Sequence, residues 1–150
     1  MIKSMPKIRY TNTIQISVGE GRLDFEDDPF YETVPCSNAF LESIGIRSPH
    51  DAALLNVSGH SMSPLYEDGD RVVVNTRKNT VISGKVYVMI VNGEFLVKRI
   101  NAQAGCFRLL SENESYEDKE LSKTDTFRVI GEVAGVWDEC KATGDMACPP

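Results

Sequence analysis

The sequence predicts a mostly-β domain of curled, partly barrel-like sheets with one short helix. Three observations support this fold class. Short runs rich in β-branched and aromatic residues recur from residue 53 to residue 137, turn signals separate them, and helical spacing occurs only in one early segment. The chain has 150 residues, which is enough for one domain with a sizeable core. We therefore expect a single folded unit.

The first elements are the least regular. Residues 1–13 are expected to be an N-terminal arm or a linker remnant. The following segment, TIQISVGEG, alternates apolar and polar residues and predicts a strand that ends at a glycine. The acidic stretch RLDFEDDPFYE predicts a solvated loop. In CSNAFLESIGI, Ser37 or Asn38 can cap a short helix that stops at Gly45.

Strand patterns fill the chain from Ala53 onward. The runs ALLNVSG and RVVVNT are separated by a turn that ends in Asp68-Gly69, and the runs KVYVMIV and EFLVKRI flank Asn92-Gly93. Asn-Gly between two apolar runs is a strong signal for a tight hairpin. CFRLLSEN and TFRVIGEVAGVW predict two more strands. Residues 138–150 show no periodicity, and we expect them to form a flexible tail.

Composition and charge narrow the function classes. The net charge of −6 argues against a nucleic-acid-binding surface on these residues, and no helix-turn-helix pattern is present. No apolar run is long enough to span a bilayer and no signal peptide is evident, so we expect a cytoplasmic protein without a membrane partner. We expect no metal and no other cofactor, because the four cysteines are too scattered to form a ligand cluster. They are Cys36, Cys106, Cys140 and Cys148.

The segment VSGHSMSPLYEDGD places Ser61 directly after a glycine-led turn. A serine at such a position serves either the turn itself or a nucleophilic reaction, which requires a base. The neighbouring His60 does not suit that role, since adjacent residues on a strand or turn rarely face one another. A base for Ser61 would therefore come from elsewhere in the chain.

Lys98 is a candidate for this base. In the strand EFLVKRI it lies on the same face as Leu96 and Ile100, because side chains alternate along a strand. Such a lysine either lays its stem over apolar surface at a rim or is buried. Burial disfavours the ammonium form and lowers the pKa, and a neutral lysine can act as a general base. Considered alone, the pattern leaves both interpretations open.

The ordered set GHSMSP, EDGDRVVV and GEFLVKRI resembles the LexA-type self-cleaving serine peptidases of the S24 family. This family includes phage repressor C-terminal domains, to which the sequence is most similar, and UmuD proteins. The resemblance runs from about Tyr10 to Trp137 and implies a peptidase and dimerisation domain over residues 14–137. It also implies the curled sheets found in LexA and in signal peptidases.

The resemblance implies a Ser–Lys dyad. Ser61 would be the nucleophile, and Lys98 would be the neutral base that takes its proton. The backbone N–H groups of His60 and Ser61 would form the oxyanion hole, so that His60 contributes through its main chain. No metal takes part in this chemistry.

The implied substrate is the chain itself. The cleavage site would lie in segment 14–28, with Val18–Gly19 as the scissile bond, and a glycine after the bond lets the backbone approach the serine closely. The family most often has alanine, and sometimes cysteine, in place of Val18. A pocket shaped for a methyl group would be overfilled by valine, so cleavage is expected to be slow, conditional or absent.

The resemblance implies the self-cleavage and dimerisation domain of a LexA-like phage or prophage transcriptional repressor. A homodimer would let a helix-turn-helix domain, absent from these residues, bind operator DNA. An activated RecA filament would promote self-cleavage in the SOS response. Two alternatives stay open: a UmuD-like accessory protein of an error-prone polymerase, and a dimerisation domain that cleaves poorly.

Overall fold

The computed structural model describes residues 5–11 and 32–144 of the chain. Nine strands in these residues form one mixed sheet. The strands are β1 Lys7–Thr11, β2 Glu32–Pro35, β3 Ala52–Asn56, β4 Arg71–Asn75, β5 Lys85–Val91, β6 Glu94–Gln103, β7 Cys106–Leu110, β8 Lys119–Glu120 and β9 Phe127–Val136. Their order across the sheet is β2-β1-β3-β4-β9-β5-β6-β7-β8. The predicted mostly-β fold class is confirmed.

Two tight hairpins fix the part of the sheet that contains Lys98. Strands β5 and β6 are joined by Asn92-Gly93, with φ values of 51° and 78°, and β6 and β7 by Ala104-Gly105, with φ values of 45° and 79°. Positive φ at both central residues is the geometry whose twist matches that of paired strands. Each hairpin thus sets the register of β6, and the hairpin predicted at Asn92-Gly93 is confirmed.

Strand β9 is the last strand in the chain, but it lies in the middle of the sheet, between β4 and β5, and bends there. Its pairing with each of these neighbours contains a register shift, and such bulges increase the local twist and curl a sheet. At the bend, Gly131 lies so close to the backbone of Asn75 that a Cβ atom would overlap the Asn75 carbonyl. Glycine at position 131 therefore permits the close approach of β9 to β4.

The largest hydrophobic cluster lies beneath the turn that contains Ser61. It joins the centre of the sheet to residues 57–66, and Met62 within it is only 2% exposed. Because Met62 is anchored in this way, Ser61 is placed at the edge of the core. The cluster consists of Ala53, Leu55, Val57, Met62, Tyr66, Val72, Val74, Val86, Val88, Ile90, Ile130 and Val133.

The described residues contain two short α-helices where the sequence predicted one. Helix α1 (Asn38–Ser43) is the predicted helix, and its cap is Ser37, whose side chain accepts a hydrogen bond from the N–H of Phe40. A 3-10 turn follows at Pro49–Asp51. No helix in the described part of the chain is long and apolar enough to cross a membrane.

The ends of the domain differ from the expectation. The expected arm, residues 1–13, contains β1, which pairs with both β2 and β3 and buries Ile8. The expected tail, residues 138–150, contains helix α2 (Glu139–Thr143), which is capped by Asp138 and buries Ala142 against α1. Both elements are five residues long, too short for a periodic pattern to stand out in the sequence.

Candidate active site

Ser61 begins the turn of residues 61–65 in the connection between β3 and β4. The preceding Gly59 has φ of +85°, a conformation that favours glycine, and its N–H donates a hydrogen bond of 2.8 Å to Oδ1 of Asp68. On the other side, the side chain of Met62 is buried in the core. The backbone at Ser61 is therefore held from both sides.

The EDGD motif closes this loop onto β4. The N–H of Gly69 donates to the carbonyl of Val57, and the N–H of Val57 donates to the carbonyl of Asp70, over 2.9 and 2.7 Å. The carboxylate of Asp70 accepts a further hydrogen bond from the N–H of Glu67. These contacts give the motif a structural role, because they bring together the two ends of the loop of residues 57–70, which we call the serine loop.

The structure brings Ser61 and Lys98 to the wall of one small cavity. Its volume is about 80 Å³, and it lies between the serine loop and the middle of β6. Its lining residues are Asn56, Val57, Ser58, Ser61, Met62, Phe95, Leu96, Val97 and Lys98. The two candidate dyad residues, which are distant in the sequence, thus line one partly apolar cavity.

Lys98 is half-buried at this cavity. Burial lowers the pKa of its ammonium group below the ordinary value, and the charge of Glu94 opposes this shift in part. Its Nζ atom donates a hydrogen bond of 2.7 Å to Oγ of Ser111 and lies 5.8 Å from the ring centre of Tyr116. The lysine is therefore partly desolvated, and its hydrogen-bond partner is a hydroxyl group rather than a carboxylate.

Ser111 was not among the residues singled out from the sequence. It follows β7, and the β6–β7 register, which pairs Arg99 with Leu110, continues to place Ser111 opposite Lys98. The signal was present in the sequence, because counting outward from the Ala104-Gly105 turn gives the same pairing. It was missed because a serine at the end of a strand resembles ordinary turn chemistry.

Asn113 connects the same segment to the serine loop. Its N–H donates a hydrogen bond of 3.0 Å to the carbonyl of Ser61, and its side-chain Nδ2 donates one of 3.0 Å to the carbonyl of His60. Its Oδ1 accepts from the N–H of Ser115, which fixes the side-chain amide. We call Ser111–Asn113 the SEN segment, and it contacts both candidate dyad residues.

The backbone N–H groups of His60 and Ser61 are the donors expected for the oxyanion hole. No described residue accepts a hydrogen bond from the N–H of His60 or of Ser61, so both remain available in this part of the structure. The side chain of His60 is exposed, and the residue contributes its carbonyl to the contact with Asn113. The proposed cleavage segment, residues 14–28 with the Val18–Gly19 bond, lies outside the described residues.

This β domain brings a serine in a turn and a half-buried lysine on a strand to one cavity. These are the residue types found in a serine peptidase with a lysine base. Comparison with known families agrees. The model of the family described as Peptidase S24-like matches residues 10–134, and the chain belongs to this family. The family resemblance expected from the sequence is confirmed.

Curated relatives of the chain include repressors. The chain is 30% identical over 127 residues to "Repressor protein CI" of Enterobacteria phage phi80, which covers 83% of this chain and 53% of the relative. It is 31% identical over 114 residues to the "HTH-type transcriptional regulator PrtR" of Pseudomonas aeruginosa (75% and 44%). It is 29% identical over 107 residues to a "LexA repressor" of Clostridium novyi (71% and 49%). The chain spans about half the length of these relatives.

Proposed function

We propose that this chain is the self-cleavage and dimerisation domain of a LexA-like phage or prophage repressor. Ser61 is the nucleophile and Lys98 the general base of its peptidase site. The observation that best supports this proposal is the shared cavity, which Ser61 lines together with Lys98, a partly desolvated lysine whose pKa is lowered. A lysine in its neutral form can accept the proton of a serine hydroxyl.

The reaction needs no group beyond the chain and water. Neutral Lys98 takes the proton of the Ser61 hydroxyl while Oγ attacks the scissile carbonyl carbon. The N–H groups of His60 and Ser61 stabilise the oxyanion of the tetrahedral intermediate. The C–N bond then breaks, and the leaving amine takes the proton from Lys98. A water molecule, deprotonated by the neutral amine of Lys98, attacks the ester carbonyl; the ester C–O bond breaks, and Oγ of Ser61 takes the proton back from Lys98.

We propose Val18–Gly19 as the bond that is cut. The cavity of about 80 Å³ is roughly half the volume of one of about 150 Å³ that accommodates benzene, so its size is compatible with the three carbons of a valine side chain. Gly19 lets the substrate backbone approach Ser61 without a side-chain clash. Tethering the bond to the site provides a high effective concentration, so that a modest catalyst suffices.

The repressor role is supported by the relatives. The proteins named as repressors CI and LexA, and the regulator PrtR, are about twice as long as the matched region, which leaves room in such proteins for a DNA-binding part. In our proposal, the domain forms a homodimer in the cytoplasm that positions two helix-turn-helix units on operator DNA. An activated RecA filament promotes self-cleavage in the SOS response, which separates the DNA-binding part from the dimer.

Incubation of the purified chain at about pH 9–10, where a lysine is more readily neutral, tests the proposal. Intact-mass analysis is expected to find a fragment that begins at Gly19, and Ser61→Ala and Lys98→Ala are expected to abolish it. A wild-type chain that stays intact under these conditions would contradict the peptidase role and leave the dimerisation role. A fragment together with binding to an error-prone polymerase would favour a UmuD-like accessory protein instead of a repressor.

A further inference from the structure

We propose that Ser111 is a positioning residue of the peptidase site, whose hydroxyl holds the amine of Lys98 in place for Ser61. The inference deepens the proposed function and rests on it for its catalytic meaning. The observation behind it is the 2.7 Å hydrogen bond from Lys98 Nζ to Ser111 Oγ, made by a lysine that also lines the cavity containing Ser61.

A lysine needs such a partner to act as a precise base. Its side chain has four rotatable carbon–carbon bonds, and holding it in one conformation costs rotamer entropy. A neutral amine has two N–H bonds and one lone pair. When one N–H donates to Ser111, rotation about the terminal C–N bond is restricted, and the lone pair is left free for the hydroxyl proton of Ser61.

The SEN segment also sets the position of the nucleophile. Asn113 donates two hydrogen bonds to the carbonyls of His60 and Ser61, both of 3.0 Å. Between it and Ser111, the carboxylate of Glu112 pairs with Arg99 on β6, with a closest distance of 2.6 Å. Three consecutive residues thus connect the base, its strand and the serine loop. The segment therefore fixes the separation of nucleophile and base.

The surroundings of Lys98 predict a distinctive effect of removing this hydroxyl. Glu94 on the same strand favours the ammonium form, and Tyr116 presents its ring to the amine. Tyr87 lies opposite on β5, and Arg99, the next residue of β6, pairs with the carboxylate of Glu112. Ser111 accepts a hydrogen bond from the ammonium and so stabilises the charged form. Without it, the pKa of Lys98 should fall further while the amine loses its orientation.

The first test is the rate of self-cleavage against pH in the full chain. Ser111→Ala is expected to lower the plateau rate about tenfold or more and to move the midpoint of the profile to lower pH. Ser111→Thr, which keeps the hydroxyl, should restore both. Ser115→Ala, a matched change four residues further along, should leave both unchanged. An unaltered profile in Ser111→Ala, or equally slow Ala and Thr variants, would overturn the inference.

The second test does not depend on cleavage. In the Ser61→Ala background, the pKa of Lys98 is measured by NMR titration of its side-chain signals, with and without Ser111→Ala. The expected result is a lower pKa in the double variant, and equal values would overturn the inference. Failure of the wild-type chain to cut itself would contradict the proposed function instead, so the two failures are distinguishable.

Discussion

The side-chain amide of Asn113 donates a 3.0 Å hydrogen bond to the carbonyl oxygen of His60, which lies 53 residues earlier in the chain. The contact joins the segment after β7 to the loop that presents Ser61. It is reinforced by the backbone hydrogen bond from Asn113 to Ser61 itself. The serine loop is thereby fixed relative to the hairpin that contains Lys98.

Removing the hydrogen bond between Asn113 and His60 should lower both the stability of the domain and the rate of self-cleavage. Asn113→Ala removes two side-chain hydrogen bonds, one donated to the carbonyl of His60 and one accepted from the N–H of Ser115. We expect the free energy of unfolding to fall by about 1 kcal/mol. Self-cleavage should slow more than this loss of stability explains, because the serine loop becomes free to move. Urea unfolding and the cleavage rate, compared at equal folded fraction, measure the two effects.

Asn101→Ala is the matched control for Asn113→Ala. Asn101 accepts a side-chain hydrogen bond of 2.7 Å from Ser83, away from the cavity, so its replacement should change stability without a separate effect on the rate. Equal losses of rate in the two variants would show that Asn113 acts on folding alone.

Lys98→Arg should abolish self-cleavage, because a guanidinium group stays charged at any accessible pH and cannot take the serine proton. General-base catalysis typically contributes about 10²–10⁴-fold, so a loss of at least about a hundredfold is expected. Intact-mass analysis over time measures the rate. Lys85→Arg, on the exposed start of β5, is the control and should cut like the wild type. Cutting by the Lys98→Arg variant would exclude the lysine as the base.

The lowered pKa of Lys98 predicts the pH profile of cleavage. The active form is the neutral amine, so the rate should rise with pH and have its midpoint below pH 10.5, the ordinary pKa of lysine. The sign follows from burial, which favours the neutral form in the folded state. Rates measured between about pH 6 and 11 give the midpoint. A midpoint at or above pH 10.5 would contradict a depressed pKa.

The lowered pKa of Lys98 also makes the free energy of unfolding depend on pH. Between the folded pKa of Lys98 and its unfolded value near 10.5, the unfolded state binds more protons, so the contribution of this group to stability increases with pH. Below the folded pKa, the cost of the buried ammonium is fully present. In the Ser61→Ala background, Lys98→Met should remove this dependence, which urea unfolding at several pH values can measure. Identical slopes with and without the lysine would be inconsistent with the shift.

Local patterns in the sequence predicted much of the fold, and the family resemblance implied the candidate pair, whereas long-range strand pairing was not accessible. The Asn92-Gly93 turn and the alternation around Lys98 are local features, and the structure retains both. The position of β9 between β4 and β5, and the parallel pairing of β1 with β3, depend on contacts between distant residues. Periodicity reports which face of a strand is apolar, not which strand lies beside it.

The size of the cavity predicts which residues can precede the scissile bond. A volume of about 80 Å³ is compatible with alanine or valine but is too small for an aromatic ring, since benzene occupies a cavity of about 150 Å³. Val18→Phe should therefore slow self-cleavage strongly, by an overpacking cost of about 1–3 kcal/mol. Val18→Ala, the control, should cut at least as fast as the wild type. Equal rates for all three chains would place the scissile bond elsewhere.

Gly131 is predicted to be the most sensitive glycine of the sheet centre. A Cβ atom there would overlap the backbone carbonyl of Asn75, which cannot move without disturbing β4, so Gly131→Ala should cost about 1–3 kcal/mol of unfolding free energy. At Gly135, the added atom would lie 3.0 Å from Cγ2 of Ile44, a side chain that can shift, and Gly135→Ala should cost less. Urea unfolding in the Ser61→Ala background compares the two without interference from cleavage. Similar losses in both variants would mean that the close approach of β9 to β4 does not require glycine at position 131.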